Sequence, residues 1–220
     1  MRPETENSPM QHALKLDDEK PPKPATHSST VVDYDYPADI KTWNGIALVG
    51  EAPGADEVRL GHPFVGRSGQ LLDKILTEAG IDRKQSLVAN VFRMQPPANK
   101  VDHFFISARA SKLQGIGIAE EYGRFGSAYC RAEFAPHIEH LQTTLKKLKP
   151  HIIVALGRTP LWALTGEDGL LKKVGMRLPC RLAPGIEVIP TFHPSFILRG
   201  NWGLQGEWLK HFAAAKTFMS

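Results

Sequence analysis

Four stretches of this 220-residue chain carry side chains able to do chemistry. The first, Gly50-Glu51-Ala52-Pro53-Gly54-Ala55-Asp56-Glu57, frames carboxylates with glycines. Glycine allows a sharp turn or a close backbone approach to a ligand. On glycines alone the stretch fits a strand-to-helix turn or a phosphate-binding loop, although it matches neither a P-loop nor G-x-G-x-x-G. The second, Gly61 to Leu72, holds Phe64 between Pro63 and Val65-Gly66. A Phe there is a flat wall for a ring or a plug for the core. The third is Asn90, at the end of an apolar run. Its amide both donates and accepts hydrogen bonds, and it equally suits an Asx turn. The fourth is His193-Pro194-Ser195, after another apolar run and before Arg199.

Short apolar runs alternate with amphipathic stretches, and these elements must position the four sites. Ile46 to Val49 reads as a buried strand that ends in the loop 50–66. Ser68 to Ala79 reads as a helix with Leu71, Leu72, Ile75 and Leu76 on one face, stopped at Gly80. Leu87–Phe92, Ile152–Leu156 and Glu187–Thr191 read as further strands. Ala132–Leu148, about Thr159–Leu164 and Gln205–Phe218 read as helices. The expected fold class is α/β: three layers, α/β/α, around a central, mostly parallel four-stranded sheet. Ligands of such sheets bind beyond the carboxyl ends of the strands. The loops there begin at Gly50, Asn90, Gly157 and His193, and Gly157-Arg158 reads as a plain strand-to-helix turn.

Forty-two per cent hydrophobic residues is enough for one core of this length. The polar, Pro-rich start lacks a signal-peptide pattern and no apolar run approaches a bilayer span, so a soluble, cytoplasmic monomer is expected. Residues 1–38, with Pro21-Pro22-Lys23-Pro24, read as a disordered tail before a domain at 39–220. Residues 1–40 are net −4, while the remainder, with 23 basic and 15 acidic residues, is net +8. A basic body suits a polyanion but by itself favours nucleic acid only weakly. The two cysteines, Cys130 and Cys180, form no C-x-x-C pair and are expected to pack.

The first two stretches together resemble the uracil-DNA glycosylases, most closely family 4, the thermostable iron–sulfur type. That family's first motif is GEAPG, a few acidic residues, then G-x-PFVG-x-AG-x-LL. The match spans 23 positions from Gly50 to Leu72, with Ser68 replacing the usual Ala. Asn90-Val91-Phe92-Arg93-Met94-Gln95-Pro96-Pro97-Ala98-Asn99-Lys100 is similar to the family's N-V-x-x-C-R-P-P-x-N-R. His193-Pro194-Ser195-Phe196-Ile197-Leu198-Arg199 is similar to HPS-x-x-LR, and Lys149 to Gly157 to the PKVIVALG strand. The resemblance covers about 45–218, less an insertion at about 101–129.

The resemblance implies a monofunctional glycosylase that flips uracil from single- or double-stranded DNA and hydrolyses its N-glycosidic bond. It implies uracil-binding roles for Gly50 (pocket floor), Phe64 (stacking) and Asn90 (reading N3–H and O4). His193 would donate to uracil O2, helped by N–H groups of the Glu51–Ala52 loop. Ala52 stands where family 1 has a water-orienting Asp, and Glu51 precedes it; both are assigned to the catalytic site. Gly54 stands where family 1 has a thymine-excluding Tyr, and Glu57 matches the residue thought to fill that gap. Ser195, Ile197, Arg199 and Arg67 are expected on the DNA, with Ile197 as an apolar wedge.

The chain departs from family 4 at the cluster. Residues 1–45 have no cysteine, Met94 stands in the third ligand position, and only Cys130 could match the fourth. No cofactor and no metal are expected. The insertion would replace the cluster's structural role or contact DNA. A related DNA-crosslinking group carries a basic loop with a reactive His there. Here only His103 lies inside the insertion, without that motif, which leaves trapping of uracil or abasic DNA as the alternative function.

Overall fold

The structure is a computed structural model and describes residues 31–219; most of the expected tail, 1–30, lies outside them. In chain order the elements are β1 (Ile46–Gly50), α1 (Ala55–Leu60), α2 (Arg67–Ala79), β2 (Leu87–Asn90), β3 (Phe105–Ser107), α3 (Ala108–Gln114), β4 (Arg124–Phe125) and β5 (Ala128–Cys130). They continue with α4 (Ala135–Leu148), β6 (Ile152–Leu156), α5 (Arg158–Thr165), β7 (Leu178–Pro179), β8 (Glu187–Thr191), α6 (Pro194–Leu198) and α7 (Gln205–Lys216).

The main sheet has the order β2-β1-β6-β8-β7. It has five strands rather than four, because the two-residue β7 pairs antiparallel with β8 at one edge. The other pairings are parallel, as the intervening helices require. Every residue of β1 and β6 is buried, so these strands read as unbroken apolar runs. Their alternate residues feed two cores. Ile46 and Leu48 face α2, with Leu72 and Ile75, and α7, with Trp208 and Phe212. Ala47 and Val49 face α4, with Ile138 and Leu141, and α5, with Trp162.

Two features bear on the expected tail and on the insertion. Val32 and Tyr34 are buried, the Val32 N–H donates to Arg93 O at 2.7 Å, and Asp35 forms an antiparallel bridge with Val88. Residues 32–35 thus cover the exposed edge of β2, a common protection for an edge strand. The insertion builds its own antiparallel sheet, β3-β5-β4, and buries Phe104, Phe105 and Phe125. Phe104 stacks on Phe92 with centroids 3.9 Å apart, and Phe105 meets Trp162 edge-on at 5.1 Å. The insertion is therefore part of the domain core.

Candidate active site

The carboxyl ends of β1, β2 and β8 surround a cavity of about 400 Å³. Glu51 and Ala52 leave β1, Asn90 ends β2, and His193 follows β8; all three segments line it. Phe64, Glu57, Ser195 and Arg199 complete the expected residues on its wall. Gly50 lies beneath them. A Cβ there would come 2.5 Å from Asn90 Oδ1 and closer still to the Phe64 ring, so only glycine lets these two side chains meet over β1.

Phe64 takes a left-handed backbone conformation, φ 53°, unusual for a residue with a side chain. Arg83 holds it there. Its two terminal nitrogens donate to Phe64 O at 2.9 Å and to Pro63 O at 2.6 Å. Asp73 at 2.8 Å and Asp35 at 3.3 Å orient the guanidinium. Phe64 is 4% exposed, and its ring lies 5.8 Å from the His193 ring. Sequence reasoning missed Arg83, because a residue that grips backbone carbonyls leaves no motif.

Asn90 is 4% exposed, yet among the described residues its amide makes no hydrogen bond. A buried amide of this kind is costly unless something else pairs with it. Its open face is the cavity.

His193 is fixed more completely. Its Nδ1 accepts from the Ser195 N–H at 3.1 Å and lies 2.8 Å from Ser195 Oγ. Arg199, which can only donate, gives a hydrogen bond to the same Oγ at 3.1 Å, so the hydroxyl proton is free to point at Nδ1. Nδ1 is thus the acceptor, and the proton of the neutral ring sits on Nε2. Burial, aided by the nearby Arg199 charge, pushes the imidazole down to about 4, so the ring is neutral at pH 7. Gly157 permits its position: φ is 108°, and a Cβ there would lie 3.3 Å from His193 Cβ.

Glu51 receives a 2.5 Å hydrogen bond from Thr159, a fully buried hydroxyl in the first turn of α5. Burial raises the Glu51 carboxyl above the usual range, against the lowering effect of that bond. Sequence reasoning treated Gly157-Arg158 as a plain turn and missed Thr159 beside it. Glu57 caps α1 by accepting from the Gly54 N–H at 2.7 Å. Ser68, Pro96 and Asn99 also line the cavity and were not singled out.

Two expected DNA contacts lie elsewhere. Ile197 is fully buried against α2 and α7 and presents nothing to the surface. Arg67 begins α2, exposed but outside the cavity lining. His103 packs against Phe104 and Phe134 and is also outside the lining.

Residues 41–215 match the family described as the Uracil DNA glycosylase superfamily. The chain belongs to the uracil-DNA glycosylase superfamily. This glycosylase-superfamily chain is 33% identical over 176 residues to a type-4 uracil-DNA glycosylase of Thermotoga maritima, covering 79% of the chain and 77% of the relative. It is 31% identical over 175 residues to one of Pyrobaculum aerophilum, covering 77% and 75%. It is also 32% identical over 167 residues to one of Archaeoglobus fulgidus, covering 70% and 66%. The superfamily fold agrees with the α/β architecture expected from the sequence.

The residues at the iron–sulfur positions do not fit a cluster. A four-thiolate site needs more cysteines than the two in the chain. Cys130 is fully buried on β5, and burial pushes its thiol up to about 12, far from a thiolate. Met94 packs against the aromatic core, and Cys180 lies beyond β7.

Proposed function

We propose that this protein is a DNA-repair enzyme that removes uracil from DNA by hydrolysis and leaves an abasic site. The observation that carries the reading is the convergence of a neutral Nε2–H donor, an unpaired amide and a ring face on one cavity. A flipped uracil stacks on Phe64, whose pinned loop gives a preformed wall. The Asn90 amide accepts from uracil N3–H and donates to O4; cytosine carries a bare N3 and an amino group there and mismatches both. Glu57, held by its cap at Gly54, lines the cavity and would refuse a thymine methyl group.

Cleavage moves the N1–C1′ electron pair onto the base and leaves an oxocarbenium-like sugar. The Nε2–H of His193 donates to O2, where the negative charge collects, without transferring its proton. Ala52 lines the same cavity, and its N–H would add to this anion hole. Water then bonds to C1′ and passes a proton to the Glu51 carboxylate, while the uracil anion leaves and takes a proton from solvent. Glu51 takes the positioning role, since Ala52 offers no carboxylate and the buried Glu51 is a better base than an exposed one. No step uses a metal cluster, and the aromatic packing of the insertion takes over its structural place. The substrate is uracil-containing DNA, and we read the enzyme as a cytoplasmic monomer. No helix among the described residues is long and apolar enough to cross a membrane.

Trapping of DNA finds little support, because His103 is packed among aromatic rings rather than facing the cavity. A labelled uracil oligonucleotide tests the reading. Strand breakage only after alkali is the expected result. No breakage with either single- or double-stranded substrate sinks the glycosylase reading, and a stable protein–DNA adduct replaces it with trapping.

A further inference from the structure

We infer that Leu171, on the turn after α5, is the apolar wedge that enters duplex DNA when the base leaves. The inference rests on the uracil-excision reading above. Extruding a base leaves a gap in the stack, and apolar side chains pushed into base steps are a general way to fill it. The apolar triplet after His193 offers no fully exposed side chain, its Phe196 and Leu198 being half-buried. Ile197 is fully buried, Phe196 stacks on Phe192 with centroids 5.7 Å apart, and Leu198 packs against the same core. Bringing Ile197 to the surface would tear it from the contact with α2.

Single exposed leucines are common and carry no meaning alone. What singles out Leu171 is its place. It is 71% exposed and lines a second cavity, of about 280 Å³, together with Glu51, His193, Ser195 and Arg199. These four also line the uracil cavity, so Leu171 sits across a shared wall from the base site. Its turn is braced rather than loose. The Lys173 N–H donates to Leu170 O at 2.8 Å, and Lys173 Nζ pairs with Glu167 at 2.9 Å. Arg158 holds Asp168 through two bonds of 2.7 Å, and the Gly175 N–H donates to Pro190 O of β8 at 2.9 Å. A braced tip loses little entropy on insertion. Lys172 next to it and Arg199 across the cavity are exposed cations that suit the flanking phosphates.

The test compares Leu171→Ala with the unmodified chain on one uracil sequence, single-stranded and paired with adenine. Only the duplex needs a wedge. The duplex rate is expected to fall about tenfold or more, the size of one buried leucine side chain, while the single-strand rate falls much less. Leu171→Phe should restore most of the duplex rate. Equal losses on both substrates, or no loss on the duplex, overturn the wedge. A duplex-specific loss from Phe196→Ala without one from Leu171→Ala moves it to the α6 turn and also overturns the inference. If the unmodified chain releases no uracil from either substrate, the glycosylase reading falls and takes the wedge with it.

Discussion

The relay from Arg199 through Ser195 to His193 makes a graded prediction. Replacing His193 with Ala removes the donor to the leaving group. Loss of one preorganised donor of this kind costs roughly 10²–10³-fold in rate. Replacing Ser195 with Ala is different. It removes the hydroxyl 2.8 Å from Nδ1 but leaves the Ser195 N–H, which donates to the same nitrogen at 3.1 Å. One neutral hydrogen bond out of two is worth about 0.5–1.5 kcal/mol, so the expected loss is about two- to tenfold. Because Ser195 acts on the base only through the imidazole, its removal should cost nothing further once His193 is gone. Single-turnover rates on single-stranded uracil DNA, for both single variants and the double variant, provide the cycle. A Ser195→Ala loss that matches His193→Ala, or losses that multiply in the double variant, refutes the relay and gives Ser195 a direct contact with substrate.

Asn90→Ala should weaken competitive inhibition by free uracil about tenfold or more, since the Asn90 amide, 4% exposed on the cavity wall, is left among the described residues without a partner and free for the base edge. Rates against pH should show no step at 6.5, because His193 is already neutral down to about 4. The acid limb should instead follow Glu51, at a pH above that of an ordinary carboxylate, and Thr159→Val should move it higher by removing the bond that favours the ionised form. Stability has the matching sign. Between 6.5 and 4 the unfolded chain binds a proton at His193 that the folded chain refuses, so the melting temperature falls as pH drops through that window. Arg83→Gln should lower uracil affinity and cost about 1–3 kcal/mol of stability in denaturant unfolding, because the Pro63 and Phe64 carbonyls lose their shared donor. The purified enzyme should show no visible iron–sulfur absorption, and prolonged chelation should leave its rate unchanged; a rate that collapses on metal removal contradicts the cluster-free reading.

The legible and illegible parts of this molecule divide on physical lines. Buried parallel strands were readable because β1, β6 and β8 are apolar runs stopped by Gly, Gly and His-Pro. α2 was readable because thirteen residues show its periodicity. α1 was not: six residues, headed by acids and without a buried member, have no apolar face to display. β7 and the strands of the insertion are two or three residues long, too short for alternation to register. The segment 32–35 did carry a signal, since buried Val32 and Tyr34 alternate with Asp33 and Asp35, but its acids disguised a strand-like edge as tail.

The site shows the same division at finer scale. Glu51, Asn90 and His193 stand in motifs at strand ends, so their positions followed once the strands were placed. Residues that act through others left no such trace. Thr159 is recognisable only because Glu51 lies 2.5 Å away across 108 positions of sequence, and Arg83 only because it reaches two carbonyls about twenty positions back. Ile197 is the opposite case. The motif singles it out as a wedge, but a five-residue helix turns this member of the apolar triplet inward, and sequence gives no phase for so short an element. Spacing therefore marks the segment, whereas which of its apolar residues faces outward is decided by packing against α2.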